Sequence, residues 1–197
     1  MTNQKAIFRI LLKWLPWRAN KVQAVSVGWR RLPIPVIFSI HGSCWGAGLQ
    51  TTLGGYFRFA APQASLAIMK TKWGLIPDIA GSLELGELLQ IDKALEYTMT
   101  SREITAQEAL ESGLLIRLAD DPFAEALRFA NELIEKSSDA LAARKRLYQY
   151  SWNHNGSILL AKEWFLQWRM FTSKNRKIAV QKAMGKGAAV RYLYRGL

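Results

Sequence analysis

The 197-residue chain has the composition of a folded globular protein, with half of its residues apolar and 21% charged. That balance excludes an intrinsically disordered, collagen-like or coiled-coil chain, and no apolar run is long enough to predict a membrane-spanning helix. A single cysteine excludes a disulfide framework, and with only two histidines beside it no metal site is predicted.

The formal net charge of +12 is concentrated at the two ends of the chain. Residues 1–31 carry seven basic side chains and no acidic one, residues 137–197 carry twelve basic and two acidic ones, and the segment between them is mildly acidic. Basic ends of this kind predict attraction to phosphate groups, anionic lipid or nucleic acid. Solvated basic helices explain the same composition, so a scaffold that binds nucleic acid or an anionic membrane surface is an alternative function.

Two helices are predicted before the first strand. Between Ala6 and Leu15 apolar and basic residues fall on different helical faces, as in a transit peptide, an interfacial helix or a buried helix. Pro16 should end this helix, and a second one is predicted from the N-cap residue Asn20 to about Arg31. We expect a cytoplasmic protein, with mitochondrial-type targeting by the basic N-terminus as the alternative.

Beyond Pro33 the pattern changes from helical to β-type. Residues 34–40 predict a strand buried on both faces, and the Gly-rich segment 42–48 predicts a loop that leads into a buried helix. Backbone N–H groups at the start of such a helix are free to hold an anion or a developing oxyanion. The segment lacks the Lys-Ser/Thr of a P-loop, and its spacing is not that of a dinucleotide-binding motif.

Several segments together carry a resemblance to a known family. They are Pro35-Val36-Ile37, the run Gly42-x-x-x-Gly46-Ala47-Gly48-Leu49-Gln50, residues 56–60, the run Trp73-Gly74-Leu75-Ile76-Pro77-Asp78, and residues 94–96, 104–114 and 142–145. In this order and spacing the sequence resembles the crotonase (enoyl-CoA hydratase/isomerase) family. The resemblance is good over residues 20–147 and looser towards the C-terminus.

The resemblance implies an α/β fold. Residues 1–120 correspond to the crotonase-like core, a spiral of stacked strand-strand-helix turns that holds the CoA-thioester site, and residues 121–197 correspond to a C-terminal α-helical oligomerisation region. The implied ligand is an acyl-CoA thioester, with no cofactor because CoA is part of the substrate. The implied assembly is a homotrimer or hexamer.

In this family two backbone N–H groups hold the thioester oxygen, so that an enolate is stabilised where its charge develops. The resemblance maps one donor to Ala47, where glycine is usual, with Gly46 and Gly48 beside it as substrate-binding residues. The second donor lies well upstream of the Gly-rich turn, and residues 1–6 hold nothing like that segment. We therefore expect an N-terminally truncated chain with half of the oxyanion hole missing and with reduced or no activity.

The family's hydratases handle water with two carboxylates, and the resemblance maps their positions to Gln50 and Lys70. An amide does not titrate, and an exposed lysine is protonated at neutral pH, so neither side chain can act as a carboxylate base. Both are therefore assigned to substrate binding, and hydration is not expected.

Asp78 is the remaining carboxylate beside the motif. In isomerases of the family, such as dienoyl-CoA isomerase, a carboxylate at the corresponding position moves protons along the acyl chain. The resemblance thus implies that, in a full-length form, Asp78 is a catalytic base for isomerisation of an enoyl- or dienoyl-CoA. The alternatives are that Asp78 is a turn residue, or that it satisfies free N–H groups at the start of a helix predicted over residues 81–89.

Aromatic residues complete the predicted site and the predicted partner surface. Trp45 and Trp73 flank the inferred pocket as substrate-binding residues, although aromatic core residues are commoner. A helix predicted over residues 158–171 carries a stripe of four aromatic side chains. We expect this stripe to pack on its own core or on a neighbouring subunit.

Overall fold

The computed structural model describes residues 18–151, 156–185 and 190–193. It divides into two compact units, of which the first contains residues 18–32 and 36–126 and the second contains residues 33–35 and the described residues from 127 onwards. The helix predicted between Ala6 and Leu15 lies outside the described residues. Among those described, no helix is long and apolar enough to cross a membrane.

The first unit alternates short strands and helices. Its elements are α1 (Gln23–Arg31), β1 (Ile37–Ile40), β2 (Ser43–Trp45), α2 (Ala47–Leu53), β3 (Phe57–Ala60), β4 (Ser65–Ala67), a 3₁₀ helix (Thr71–Trp73), α3 (Gly81–Leu88), α4 (Ile91–Thr100), β5 (Ile104–Thr105), α5 (Ala106–Glu111) and β6 (Arg117–Leu118).

Successive strand pairs stack on one another. Strand β1 pairs in parallel with β3, and β3 pairs in parallel with β6, in one sheet. Strand β2 pairs in parallel with β4, and β4 pairs antiparallel with β5, in a second sheet. The turn β1-β2-α2 is thus followed by a turn that begins with β3-β4, which is the predicted stacking of strand-strand-helix units.

Two sequence predictions around the first strand need correction. The strand begins at Ile37 rather than at residue 34, and only Ile40 is fully buried. Within the described residues β1 pairs only with β3, and three of its four residues are half-buried. The predicted loop after it contains strand β2, which lies between two glycines with positive φ, Gly42 at 56° and Gly46 at 57°.

Helix α1 is capped as predicted, although its helical residues begin only at Gln23. The side-chain oxygen of Asn20 accepts a hydrogen bond from Gln23 N–H at 2.8 Å, and the Gln23 side chain accepts one from Asn20 N–H at 3.1 Å. This reciprocal arrangement satisfies two backbone donors, as in a capping box. Helix α1 then packs closely against the residue after α2. A side chain at Gly54 would not fit there, because its Cβ would lie 2.2 Å from the Ser26 carbonyl oxygen.

The core of the first unit is apolar and closely filled. Leu49, Leu66, Tyr97, Ile104 and Leu114 are fully buried in one cluster. Burial of such side chains is the main favourable term in folding, at about 25 cal/mol for each Å² removed from water.

One cation is buried in this unit. The Nε of Arg58 donates to the Leu114 carbonyl oxygen at 2.6 Å, and its guanidinium also donates to the Gly55 carbonyl oxygen. Burial lowers the pKa of Arg58 to about 10, so the side chain remains charged at neutral pH. Its hydrogen bonds join β3 to the segment before β6.

The second unit is helical. Helix α6 (Pro122–Ile134) leads into it, and α7 (Ser138–Ser151), α8 (Gly156–Thr172) and α9 (Lys174–Ala183) follow. The buried Asn175 side chain donates to Asp139 Oδ2 at 3.0 Å and to the Leu193 carbonyl oxygen at 3.1 Å, and accepts from Leu193 N–H at 2.8 Å. These bonds tie residues 190–193 to the first turns of α7 and α9.

The predicted aromatic helix is present as α8. Its aromatic side chains are exposed in the described structure, namely Trp164, Phe165, Trp168 and Phe171. The expectation that they pack on the chain's own core is therefore wrong, and covering by a neighbouring subunit is the alternative left.

A buried carboxyl group makes the stability of the first unit depend on pH. Glu84 on α3 is 1% exposed and accepts a hydrogen bond from the Ser26 hydroxyl of α1 at 3.2 Å. Burial raises the pKa of Glu84 to about 7. The hydrogen bond from Ser26 and the charge of Arg30 lower this pKa in part, and the charge of Glu87 raises it further. Because the unfolded chain releases this proton near its usual pKa of 4.5, the contribution of Glu84 to stability is lost as the pH rises from about 4.5 through about 7.

Glu84→Gln is therefore expected to raise the free energy of unfolding by about 2 kcal/mol at pH 8 and to change it little at pH 4. Glutamine keeps the acceptor for Ser26 but has no charge to bury. Urea unfolding at both pH values measures the difference. Glu111→Gln, at an exposed position, is the matched control, and equal effects of Glu84→Gln at both pH values would contradict the assignment.

Candidate active site

The Gly-rich turn is held by the next strand pair of the fold. Gly46 N–H donates to the Ala67 carbonyl oxygen at 2.8 Å, directly after the paired residues Trp45 and Ala67. Helix α2 begins at the next residue, Ala47, which is exposed. Within the described part of the chain the Ala47 N–H has no acceptor, so it is free to donate to a ligand.

Asp78 and Lys70 form an ion pair. The Nζ of Lys70 lies 2.7 Å from Asp78 Oδ1, with side chains 22% and 33% exposed respectively. The contact does not have the angles of a hydrogen bond. Both side chains are thus partly exposed, although the Oδ1 atom that faces Lys70 is itself buried. A ligand at this surface meets a carboxylate that is already paired with a cation.

The segment that carries Lys70 is anchored on α4. The Thr71 hydroxyl donates to the Thr98 carbonyl oxygen at 2.7 Å, and Lys72 N–H donates to the Ser101 hydroxyl at 3.2 Å. The 3₁₀ helix therefore has a fixed position relative to α4, and Lys70, the residue before it, shares that position.

Gln50 lies beneath the two segments and joins them. It has no exposed surface. Its Oε1 accepts a hydrogen bond from Ile79 N–H at 3.1 Å, and its Nε2 donates a longer one to the Gly46 carbonyl oxygen at 3.5 Å. Gly81 leaves the room for this amide, because a Cβ there would come within 2.9 Å of Gln50 Oε1.

Asp78 does not cap helix α3. The residue before α3 is Ala80, and no side chain accepts a hydrogen bond from the first turn. The alternative in which Asp78 satisfies these N–H groups is therefore wrong in this structure, since its carboxylate faces Lys70 instead.

The two tryptophans are exposed but differ in their surroundings. The indole N–H of Trp45 donates to the Ser65 hydroxyl at 3.0 Å, whereas Trp73 is 72% exposed at the end of the 3₁₀ helix. Among the described residues no hydrogen bond joins either indole to Asp78 or Lys70. Burial raises the pKa of the nearby Cys44 thiol, which disfavours a thiolate nucleophile.

No group of three or more His, Cys, Asp or Glu side chains in the described ranges is arranged to hold a metal ion. Two cavities of about 620 and 580 Å³ belong to the second unit and are lined by α7 and α9 residues such as Ala140, Arg144 and Ala179. Neither cavity is lined by the Gly-rich turn or by the Lys70–Asp78 pair.

The order of strand pairs and the residues of this turn agree with a known family. A sequence model of the family described as enoyl-CoA hydratase/isomerase matches residues 19–189. The chain belongs to this family.

Solved structures show the same fold. An enoyl-CoA hydratase from Polaromonas sp. JS666 is 29% identical, with a TM-score of 0.80 and a match that covers 89% of this chain and 68% of that one. A protein from Thermobifida fusca YX, solved in complex with acetoacetyl-CoA, is 27% identical, with a TM-score of 0.73 and coverage of 76% and 60%. An enoyl-CoA hydratase from Bacillus anthracis, at 23% identity, has a TM-score of 0.83 and coverage of 100% and 72%. These likenesses confirm the predicted crotonase fold.

Within this enoyl-CoA hydratase/isomerase fold, the structure brings together residues that the sequence treated separately. Lys70 and Asp78 are in contact, and Gln50 reaches both the residue after Asp78 and the residue before Ala47. The roles of these residues, and of Gly46, Gly48, Trp45 and Trp73 in substrate binding, stay predictions. The sequence offered one signal for the contact between Lys70 and Asp78. The two residues carry opposite charges and lie at the two ends of one short segment, 70–78.

The two positions that carry carboxylates in the family's hydratases hold a buried amide and an ion-paired ammonium group. We therefore expect no hydration of crotonyl-CoA, because neither group can take a proton from water and a single carboxylate remains. The loss of the ultraviolet absorbance of the enoyl thioester measures the reaction. Robust turnover that disappears in Lys70→Met or Gln50→Met would contradict this expectation.

Proposed function

We propose that the protein binds an acyl-CoA thioester and isomerises an enoyl- or dienoyl-CoA, with Asp78 as the catalytic base. The observation that carries the proposal is a partly exposed carboxylate, fixed by Lys70, on the segment that Gln50 joins to the Gly-rich turn. Membership of the enoyl-CoA hydratase/isomerase family and the acetoacetyl-CoA complex of the Thermobifida fusca protein support the ligand class.

The reaction needs one base and one oxyanion donor from the described residues. The Asp78 carboxylate takes a proton from C2 of a 3-enoyl thioester, and the electron pair moves towards the thioester oxygen to give a dienolate. The Ala47 N–H donates to that oxygen as its charge develops. Asp78 then returns the same proton to C4, which moves the double bond to C2–C3 with no gain or loss of atoms.

A single carboxylate suits this reaction better than hydration. Addition of water requires one group to activate the water molecule and another to deliver its proton, and the described site holds Asp78 with a lysine rather than with a second acid. An allylic shift requires only that the base reach two carbon atoms of one bound chain.

The proposed assembly is a homotrimer or hexamer. The aromatic face of α8 presents four large apolar side chains to solvent, and such a patch on a folded chain is typical of an interaction surface. A second copy of the chain supplies the matching face in a symmetric oligomer.

Asp78→Asn is expected to lower the kcat of isomerisation by about 10²-fold or more, the usual contribution of general base catalysis. Asparagine keeps the size of the side chain and loses the proton-accepting group. Conversion of a 3-enoyl-CoA to the conjugated 2-enoyl-CoA, followed by absorbance, is the measurement, and the Kd of a non-reactive acyl-CoA analogue should change much less.

Asp120→Asn, at an exposed position of the same unit, is the matched control and should retain full activity. A near-normal kcat for Asp78→Asn would assign the base elsewhere, and an unfolded Asp78→Asn chain would make Asp78 a structural residue.

The affinity for CoA thioesters is expected to fall severalfold as the salt concentration rises, because the phosphates of CoA are attracted by a chain with a net charge of +12. Titration calorimetry at low and high salt measures it. An N-acetylcysteamine thioester, which carries no phosphate, is the control ligand and should show no such dependence. Salt-independent binding of CoA would contradict the prediction, and equally tight, salt-sensitive binding of RNA or DNA would favour the alternative of a nucleic-acid-binding scaffold.

A further inference from the structure

Two side chains approach residue 78 from different elements, and neither is a base. We propose that Gln50 and Lys70 are positioning residues for Asp78, with Gln50 also fixing the distance between this base and the oxyanion donor Ala47. This inference rests on the proposed function and assigns Gln50 and Lys70 a role other than direct contact with the substrate.

Lys70 fixes the carboxylate itself. Its ammonium group lies 2.7 Å from Asp78 Oδ1. The backbone around Lys70 is fixed in turn, because the 3₁₀ helix that follows it is bonded to Thr98 and Ser101 at the end of α4. The anchored backbone keeps Lys70 beside Asp78, and the ion pair favours the orientation of the carboxylate in which Oδ1 faces the ammonium group.

Gln50 fixes the backbone next to Asp78. Its amide is fully buried, and the Ile79 N–H donates to it at 3.1 Å. Ala80, the next residue, has a left-handed conformation with φ of 60°, which is unfavourable for a residue with a Cβ by about 1 to 2 kcal/mol. Such a conformation persists where hydrogen bonds on neighbouring residues hold the backbone in place. The hydrogen bond from Ile79 N–H to Gln50 is one of these.

The same amide joins the two halves of the proposed reaction. Its Nε2 donates to the carbonyl oxygen of Gly46, the residue before Ala47. The segment with the base and the turn with the oxyanion donor are therefore linked through one side chain in helix α2. Since proton transfer is sensitive to errors of about 1 Å in the placement of the base, loss of this link should slow the chemical step while leaving the CoA contacts in place.

The test compares Lys70→Met, Lys70→Arg and Gln50→Met with the wild-type chain in the isomerase assay. We expect Lys70→Met and Gln50→Met to lower kcat by about tenfold or more with KM within about twofold, and Lys70→Arg to recover most of the activity because it restores the cation. Lys93→Met removes a Lys–Glu ion pair of the same 2.7 Å length on α4 and is the matched control for lost charge. Gln107→Met, on an exposed side of α5, is the control for Gln50.

A double variant separates positioning from general stabilisation. If Lys70 acts through Asp78, adding Lys70→Met to Asp78→Asn should lower kcat no further, because the group that Lys70 positions is already gone. Additive losses, or an unchanged kcat in Lys70→Met, would overturn the proposal for Lys70 and leave Asp78 as the base.

Amide hydrogen exchange gives a readout that does not depend on turnover. The Ile79 amide should exchange at least about tenfold faster in Gln50→Met than in the wild-type chain, with the amides of α5 unchanged. A wild-type chain without isomerase activity would contradict the proposed function. In that case the Ile79 exchange rate still tests whether Gln50 positions the backbone next to Asp78. Unchanged exchange at Ile79 overturns it.

Discussion

The parallel pairing of β2 with β4 is the constraint on which the candidate site depends. It places Trp45 opposite Ala67, and Gly46 N–H bonds to the Ala67 carbonyl oxygen. Because parallel neighbours run in the same direction, the residues that follow both strands leave the sheet at the same edge. The turn before Ala47 and the segment that begins at Lys70 therefore lie beside one another, although more than twenty residues of sequence separate them.

Local patterns in the sequence were sufficient for several elements and insufficient for others. Asn20 as a helix cap, the strand ending at Ile40 and the aromatic helix α8 follow from cap chemistry and apolar periodicity, and all three are confirmed. Strand β2 was missed because the three residues Ser-Cys-Trp have no strand-like alternation, and its backbone is defined by pairing with β4. Such pairing depends on residues far apart in sequence, which no local window contains.

The candidate site was predictable in its composition but not in its contacts. The resemblance placed Ala47, Gln50, Lys70 and Asp78 near a thioester, and that placement stays a prediction. It treated Lys70 as an exposed lysine, whereas the structure pairs it with Asp78. The difference arises because a lysine side chain is expected from sequence to be solvated, whereas the folded segment places this ammonium group 2.7 Å from a carboxylate oxygen.

At the two positions to which the resemblance maps the hydratase carboxylates, this chain has an amide that accepts a hydrogen bond from Ile79 N–H and a lysine that is ion-paired with Asp78. The isomerisation proposed above uses the Asp78 carboxylate twice, first to remove the proton from C2 and then to return it to C4. Water has no part in the proposed proton transfer, so this reaction does not require the second carboxylate that hydration would need at the position of Gln50 or Lys70.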